Sequence, residues 1–251
     1  MRAVHFPIND HKWESHSLFA IIAFKPADAR SGGSAGPTGS LSGYPVASIW
    51  EGYEAPRYLT KRILSPRALT VLFGQSGHLK SVTAIDLALC NAADKPFHDI
   101  KTRNVGVLYV AGEGHAGIKK RAKAWLLKHN RDSTCEQPAL FIMSEGLDLT
   151  GNPERLCATV EHAAQVLGVP VELVVVDTLA ANFGAGDENH ARDMNVAAGC
   201  RMAGPGVAVL IVHHTGHGQI ERERGSYALI AAADFRLQAT YDEPSRLLEL
   251  R

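Results

Sequence analysis

A glycine loop between an apolar run and a helix-length segment constrains the chain more than any other feature. The run at residues 68–73, ALTVLF, is typical of a buried strand, and residues 82–93, VTAIDLALCNAA, have the apolar spacing of a helix. Between them lies the loop GQSGHLKS at residues 74–81. Glycines let the backbone turn its N–H groups around an anion, and the helix N-terminus adds the positive end of its dipole. This order predicts a phosphate-binding loop.

The residue types in the loop suggest separate roles. We expect Lys80 to reach the β and γ phosphates and the hydroxyl of Ser81 to ligate Mg²⁺. Leu79 departs from the usual pattern, because glycine is expected just before the lysine. Taken alone, the loop leaves open a chance Gly-x-x-Gly turn before a helix. The residues expected to contact the phosphates are Gly74, Gln75, Ser76, Gly77, His78, Leu79, Lys80, Ser81 and Val82.

Two further apolar runs end in carboxylates. The run at 171–176 leads into Asp177, and the run at 105–111 leads through Gly112 into Glu113. Ligands of open α/β sheets bind at the carboxyl ends of the strands. We therefore expect Asp177 to hold Mg²⁺ and Glu113 to orient or deprotonate an attacking water. Each acid alone has a simpler explanation as a helix cap, but three matched strand ends favour a shared site.

A fourth run, 207–212, ends in His213 and His214. One histidine, with His214 favoured, is expected to sense the γ-phosphate, and the other to be a buried core residue. A zinc site is disfavoured because no cysteine or second histidine pair lies nearby in sequence. The next loop carries Arg222 and Arg224. Three roles are open for these arginines: binding nucleic acid, forming a local salt bridge, or reaching into the nucleotide site of a neighbouring subunit.

Apolar runs alternate with helical segments through most of the chain. Further strands are expected at 139–143 and 232–238, and helices at 116–129 and 153–167. Alternation of this kind predicts an α/β fold with a mostly parallel central sheet and helices on both faces. The C-terminal residues predict two antiparallel strands at the sheet edge. The helix at 116–129 is rich in lysine, which suits nucleic acid, although a solvated face is the simpler interpretation.

Composition bounds the organisation and the partners. Residues 31–43 are nearly all glycine, serine, proline and small residues, so we expect residues 1–43 to be a poorly ordered segment with a linker and 44–251 to be the domain. The chain has 26 basic and 26 acidic residues, so a polyanion must be bound by a local patch. Four cysteines without CxxC spacing favour reduced thiols.

The N-terminal apolar run is short. Leu18–Phe24 covers about a third of the length of a membrane-spanning helix, so no membrane association is expected. A signal peptide over 18–29 is disfavoured because Asp10 and Glu14 interrupt the basic region that such a peptide needs. We expect a cytoplasmic protein.

From residue 58 to about 240, the ordered motifs resemble the RepA-like hexameric replicative helicases, RecA-like P-loop ATPases of plasmid and phage replication. The resemblance lies in YLTKRILSPRALTVLFGQSGHLKS, LYVAGEG, VVVDTLAANFGAGDEN, VHHTGH and RGSYALIAAADFRL. It implies a RecA-like core that hydrolyses ATP with Mg²⁺ at the subunit interfaces of a homo-oligomeric ring, a hexamer, moving on single-stranded DNA. The implied roles are phosphate and metal binding by Lys80 and Ser81, the catalytic carboxylate Glu113, the metal-side acid Asp177, the sensor His214 and the arginine finger Arg224.

The resemblance also implies where DNA is bound. The loops at 182–189 and after His214 line the channel of RecA-like rings. The first is acidic and is expected to cap a helix near His190, so DNA contact falls on the second, through Arg222. The family tolerates a residue other than glycine before the lysine. Two alternatives remain: a regulatory or RadA-like ATP-dependent DNA-binding protein that does not unwind, and a dinucleotide-binding oxidoreductase, in which Lys80 and Ser81 have no task.

Overall fold

The computed structural model of the chain describes Val46 and a body that begins at residue 57. The chain divides into two units, Met1–Tyr53 and Glu54–Arg251, and the second is the subject below. Residues 1–43 lie outside the described residues, so their predicted lack of order stays a prediction. The described ranges are 57–112, 114–129, 136–187, 190–199, 203–204, 206–214, 227–242, 244–245 and 247–250.

Seven strands form one sheet in the order β3-β2-β4-β5-β1-β6-β7. All neighbouring strands are parallel except β6 and β7, which are antiparallel at one edge. The predicted α/β class, with a mostly parallel central sheet and antiparallel C-terminal edge strands, is therefore confirmed. The strands are β1 (Leu69–Gly74), β2 (Gly106–Ala111), β3 (Leu140–Met143), β4 (Val171–Asp177), β5 (Ala208–His214), β6 (Phe235–Asp242) and β7 (Leu247–Leu250).

Helices cover both faces of the sheet. Strands β1 and β2 are buried along their whole length, as continuous apolar β-branched runs require when both faces are covered. On one face, α1 (Lys80–Ala92) and α2 (His115–Lys128) pack against alternate strand residues. The other face carries α3 (Glu154–Leu167), α4 (Leu179–Asn182), α5 (Ala191–Ala198) and α6 (Tyr227–Ala232).

The strand predicted at 232–238 begins later in the structure. Residues up to Ala232 belong to α6, and β6 starts at Phe235. A short apolar run such as ALIAAADF fits a helix or a strand equally well, so its period does not decide between them. The partner that does decide is β1, which pairs Thr70 with Phe235. The predicted antiparallel ending is confirmed.

The register of the parallel strands brings four strand ends to one edge. Gly74 at the end of β1 lies opposite His214 at the end of β5. Asp177 at the end of β4 lies between Ala111 of β2 and Val212 of β5. Among the described residues, Gly74, Asp177 and His214 of the predicted site therefore lie at the carboxyl edge of the sheet, as expected for an open α/β sheet.

The structure also bears on the cysteines and on membrane-spanning segments. Cys90 is a buried free thiol and Cys157 an exposed one, whereas Cys135 and Cys200 lie outside the described residues. Within the ranges that the structure describes, no helix combines the length and the apolar character that crossing a bilayer requires.

Candidate functional site

The loop between β1 and α1 uses left-handed backbone at two positions. Gly77 has a φ of 86°, and Leu79, the residue that caps α1, has φ 56° and ψ 18°. Only glycine adopts this conformation without a steric penalty, which for other residues is about 1–2 kcal/mol. Leu79 therefore takes the backbone conformation of the glycine that it replaces. The left-handed backbone at Leu79 therefore introduces local strain into the loop.

Strand β6 presses closely against the start of the loop. A Cβ atom added to Gly74 would lie closer to the carbonyl oxygen of Ala239 than real Cβ contacts allow. The same carbonyl lies 3.2 Å from Nδ1 of His78. Gly74 is thus required by a close approach of two backbones, and His78 links the loop to the neighbouring strand. The sequence did not indicate this link, because it depends on β6 lying beside β1.

Lys80 is buried at the first turn of α1. Only 4% of the residue is exposed, and its Nζ donates a 2.7 Å hydrogen bond to the carbonyl of Gln75 across the loop. Burial lowers the pKa of Lys80 to about 8, and the charge of Asp177 opposes part of that change. A buried cation with a lowered pKa is one that an anionic ligand stabilises. Lys80 is therefore placed to bind phosphate.

Ser81 and Asp177 meet directly. The hydroxyl of Ser81 donates a 2.9 Å hydrogen bond to Oδ1 of Asp177, which is itself only 4% exposed. A hydroxyl oxygen and a carboxylate oxygen are the kind of hard ligand that Mg²⁺ prefers. The residues therefore fit the predicted metal, and Ser81 and Asp177 are the ones that would hold it. The two predicted metal-side residues lie together.

Tyr109 is a site residue that sequence reasoning missed. It is fully buried on β2, and its hydroxyl donates a 2.5 Å hydrogen bond to Oδ2 of Asp177. Burial, followed by the nearby charge of Asp177, raises the pKa of Tyr109 well above its usual value. The tyrosine thus stays a neutral donor and fixes the orientation of the carboxylate, leaving Oδ1 toward Ser81. A signal was present, since Tyr109 is the one polar side chain in the run VGVLYVA.

The two histidines at the end of β5 have different surroundings. His213 is buried, at 2% exposure, and pairs in register with Phe73. His214 is half-buried and lies opposite Gly74, at the start of the phosphate loop. Of the pair, His214 is the one whose backbone position borders the loop.

Glu113 and Arg224 lie outside the described residues, as does Arg222. The structure does show the residue before Glu113. The backbone N–H of Gly112 donates a 2.9 Å hydrogen bond to the carbonyl of Asp177. A Cβ on Gly112 would lie 2.6 Å from Asn182 Nδ2, so glycine is required where the end of β2 meets the segment after β4.

The segment after Asp177 is packed into the domain. Asn182 is fully buried; its Nδ2 donates to the carbonyl of Thr178 at 2.8 Å, and its Oδ1 accepts from the Leu147 N–H at 2.8 Å. The Thr150 hydroxyl donates to the carbonyl of Phe183 at 2.7 Å. The first residues of the loop predicted to line a channel, Asn182 and Phe183, are therefore buried by their packing against 147–150.

The end of that segment leads into α5. The helix starts at Ala191, close to the predicted start near His190, and the carboxylate of Asp193 accepts a 3.0 Å hydrogen bond from the N–H of Asp187. The acidic residues of the loop that was expected to cap this helix are Asp187 and Glu188, and Glu188 lies outside the described residues. Within the described ranges, no group of three or more histidine, cysteine, aspartate or glutamate side chains is arranged to hold a metal ion.

Comparison with known proteins identifies a matching family and a solved structure that is similar to this chain. A family model described as AAA domain matches residues 44–219, a range that contains the phosphate loop, Asp177 and His214. Among solved structures, the KaiC-like protein of the hyperthermophilic archaeon Pyrococcus horikoshii OT3 is similar, with 10% identity and a TM-score of 0.48. The similarity covers 76% of this chain and 80% of that chain. No curated protein matches the sequence.

Proposed function

The chain belongs to the AAA domain family and has a mostly parallel α/β sheet, and we propose that it is a RecA-like P-loop ATPase that hydrolyses ATP with Mg²⁺ and works on single-stranded DNA. In this proposal it is a helicase subunit of the RepA-like type and acts as a homo-oligomeric ring, a hexamer. The ATPase is the part that the site residues support most directly. The DNA partner and the ring are finer steps, each with its own test.

One observation carries the ATPase proposal. Ser81 at the start of α1 and Asp177 at the end of β4 are hydrogen bonded, with the buried cation of Lys80 on the preceding residue. A cation for phosphate and two oxygen ligands for a divalent ion therefore converge on one loop. Bound there, Mg²⁺ would neutralise charge on the phosphates. Lys80 binds the phosphates by charge, and Tyr109 holds Asp177 in place.

Three further residues have roles in the proposal. Glu113 orients or deprotonates the attacking water. It follows by two residues Ala111, the last residue of β2, which lies opposite Asp177. His214, opposite Gly74, senses the γ-phosphate. Arg224 acts as an arginine finger in the site of a neighbouring subunit, where such a residue raises the rate by about 10³–10⁵.

The ATPase is tested with the purified full chain. Lys80→Ala is expected to abolish ATP binding and turnover, and Glu113→Gln to abolish turnover while ATP still binds. Lys101→Ala is the matched control, because it removes an exposed lysine elsewhere in the same domain. Turnover that survives Lys80→Ala would contradict the site assignment, and calorimetry with ATP separates lost binding from lost chemistry.

The DNA proposal is supported by the charge on α2. This helix, HAGIKKRAKAWLLK, contains no acidic residue, and Lys119, Lys120 and Lys123 are exposed. Exposed lysines on one surface gain affinity for a nucleic acid by releasing counterions from its phosphates. In a chain with zero net charge, such a patch concentrates positive charge in one place. By contrast, Asn182 and Phe183 are too buried for DNA contact.

Stimulation of ATP hydrolysis by single-stranded DNA tests this partner. We expect the wild type to be stimulated and Lys80→Ala to stay inactive with or without DNA. Mass photometry with Mg²⁺ and ATP tests the ring, and a hexamer is the expected species. A chain that remains monomeric with ATP and DNA would contradict the proposed ring.

A second function, a regulatory or RadA-like ATP-dependent DNA-binding protein, is favoured by one observation. The 26 basic residues of the chain are balanced by 26 acidic ones, so the chain as a whole attracts DNA too weakly for processive movement. Strand displacement on forked DNA separates the two functions. A helicase unwinds the fork in an ATP-dependent way, whereas the regulatory protein hydrolyses ATP slowly and leaves the duplex intact.

A further inference from the structure

The side chain of Asn182 joins two chain segments at the carboxyl edge of the sheet. Asn182 ends α4 and is fully buried. Its Nδ2 donates a 2.8 Å hydrogen bond to the carbonyl of Thr178, the residue after β4. Its Oδ1 accepts a 2.8 Å hydrogen bond from the N–H of Leu147, in the segment after β3. Because a carbonyl only accepts and a backbone N–H only donates, these two partners fix which way the amide points.

The end of β2 packs directly against the same amide. A Cβ atom on Gly112 would lie 2.6 Å from Asn182 Nδ2 and 2.6 Å from the Cβ atom of Ala181. A Cβ atom on Gly146, in the segment after β3, would lie 3.1 Å from the carbonyl oxygen of Ala181. Real Cβ atoms rarely come this close to other atoms, so both glycines allow the backbones to approach without an intervening side chain. The chain at the ends of β2, β3 and β4 is therefore packed together around residues 181–182.

Asn182 thereby contacts the chain beside both acids of the candidate site. Glu113 directly follows Gly112, and Asp177 directly precedes Thr178. The N–H of Gly112 donates a 2.9 Å hydrogen bond to the carbonyl of Asp177, so the backbone before Glu113 is also joined to that of Asp177. A displacement of about 1 Å in a group that acts on the substrate can cost about 10²-fold in rate. Packing of this kind is what a carboxylate that acts on water requires.

We propose that Asn182 is a positioning residue for Glu113. It holds Gly112 against the segments after β3 and β4, and Gly112 in turn sets where the Glu113 carboxylate meets the attacking water. This role rests on the proposed ATPase, in which Glu113 acts on that water. It adds a residue that controls the rate of hydrolysis through the backbone beside Glu113, while phosphate and metal binding stay with the phosphate loop and Asp177.

Steady-state kinetics and calorimetry of Asn182→Ala test this role. With the purified full chain, Mg²⁺ and ATP, kcat is expected to fall at least tenfold, because Gly112 loses the amide on which it packs. The Kd for ATP is expected to stay within twofold, since Asp177 keeps its hydrogen bonds from Ser81 and Tyr109. A loss of kcat without a loss of affinity is the signature of a group that acts on the chemical step.

Thr150→Val is the matched control in the same packed region. The Thr150 hydroxyl donates a 2.7 Å hydrogen bond to the carbonyl of Phe183, the residue after Asn182, and valine removes this bond. Thermal unfolding is expected to show lower stability for both variants, whereas the kcat of Thr150→Val is expected to stay within twofold of the wild type. A purely structural role for Asn182 predicts that the two variants lose kcat alike.

Gly112→Ala tests the same contact from the other side and does not depend on the folding of Asn182→Ala. The added Cβ atom forces Gly112 away from residues 181–182, so kcat is expected to fall at least tenfold while ATP still binds. Gly117→Ala on α2 is its control and is expected to keep kcat, because a Cβ atom there would make only ordinary contacts, 3.5 Å or longer, with the side chain of Arg121. Circular dichroism checks that the compared variants are folded.

The outcomes separate this role from the ATPase itself. Unchanged kcat in Asn182→Ala or in Gly112→Ala would overturn the positioning role while the ATPase stands. The same holds if kcat falls only together with ATP affinity, or if Thr150→Val loses as much kcat as Asn182→Ala. If the wild type does not hydrolyse ATP, the ATPase proposal fails and the positioning role fails with it.

Discussion

The hydroxyl of Ser81 and Oδ1 of Asp177 form a 2.9 Å hydrogen bond although 96 residues separate them in the chain. The contact exists because β4 and β1 end at the same edge of a parallel sheet and are separated by β5 alone. Tyr109 on β2 reaches the other oxygen of the same carboxylate from the opposite side. Asp177 is therefore held by two donors that come from different elements, and its position depends on both.

Replacing Tyr109 by phenylalanine is expected to reduce the free energy of unfolding. The change removes a donor to a buried carboxylate, and such bonds to charged groups contribute about 1.5–3 kcal/mol. Urea denaturation of the two proteins measures the difference. Tyr241→Phe, the same change at a half-buried position on β6, is the control and is expected to cost less. Equal losses in the two variants would show that the Asp177 contact contributes little.

Replacing Leu79 by glycine is expected to preserve ATP binding and leave stability unchanged or slightly higher. Glycine removes a left-handed strain of about 1–2 kcal/mol, but this gain is partly offset by the greater freedom of glycine in the unfolded chain. Leu79→Val is expected to have the opposite effect and to lower stability, because a β-branched side chain tolerates positive φ poorly. Thermal unfolding and ATP titration measure both effects. If valine is tolerated as well as glycine, the left-handed backbone at this position is not required.

Most of the fold could be predicted because its strands are continuous apolar runs. Strands β1, β2, β4 and β5 begin and end within two residues of the predicted bounds. The helix predicted at 153–167 is α3, where Asn152 Oδ1 accepts a 3.2 Å hydrogen bond from the Arg155 N–H and Gly168, at φ 69°, ends the helix. These signals lie within a short stretch of sequence, so they can be recognised without knowing which elements pack against that stretch.

The remaining features depend on which strands are neighbours. The meeting of Ser81 and Asp177 followed from the rule that parallel strands place their ends at one edge. By contrast, the contact between His78 and Ala239 requires β6 to lie beside β1. The cavity that Asp86 lines together with Leu237 of β6 and Leu248 of β7 requires β7 to fold back on β6. Strand order is a long-range property, and no local pattern in the sequence specifies it.

ATP affinity is expected to fall as pH rises above about 8. Burial lowers the pKa of Lys80 to about 8 in the free protein, and bound phosphate stabilises the charged form and raises the pKa again. Below the free-state pKa the cation is present before binding, so affinity is highest there. Above it, binding must take up a proton, and affinity falls by up to about tenfold per pH unit. Calorimetry from pH 6.5 to 9.5 measures this dependence.

Lys80→Arg is the matched variant for this pH dependence. Arginine stays charged across the range, so its ATP affinity is expected to change much less between pH 7 and 9.5. Proton uptake, measured in buffers that differ in ionisation enthalpy, is expected above pH 8 for the wild type and not for Lys80→Arg. The same pH profile in both proteins would assign the titration to another group.

Reversing the charge of three lysines on α2 is expected to weaken single-stranded DNA binding. Lys119, Lys120 and Lys123 are exposed on a helix that has no acidic residue, so each is available to a phosphate. For single strands the slope of log affinity against log salt is about −0.7 for each phosphate contact. The triple glutamate variant is therefore expected to lose about two units of slope. Fluorescence anisotropy with a labelled oligonucleotide at several salt concentrations measures it.

The control for this prediction reverses positive charge elsewhere in the domain. Lys61, Arg62 and Lys101 lie near one another around residues 99–101, on a surface separate from α2. Because the two triple variants change net charge equally, a general electrostatic effect would weaken DNA binding to the same extent in both. A loss specific to the α2 variant supports direct contact with phosphates. Equal losses, or none, would leave α2 as a solvated helix face and return the DNA contact to the loop after His214.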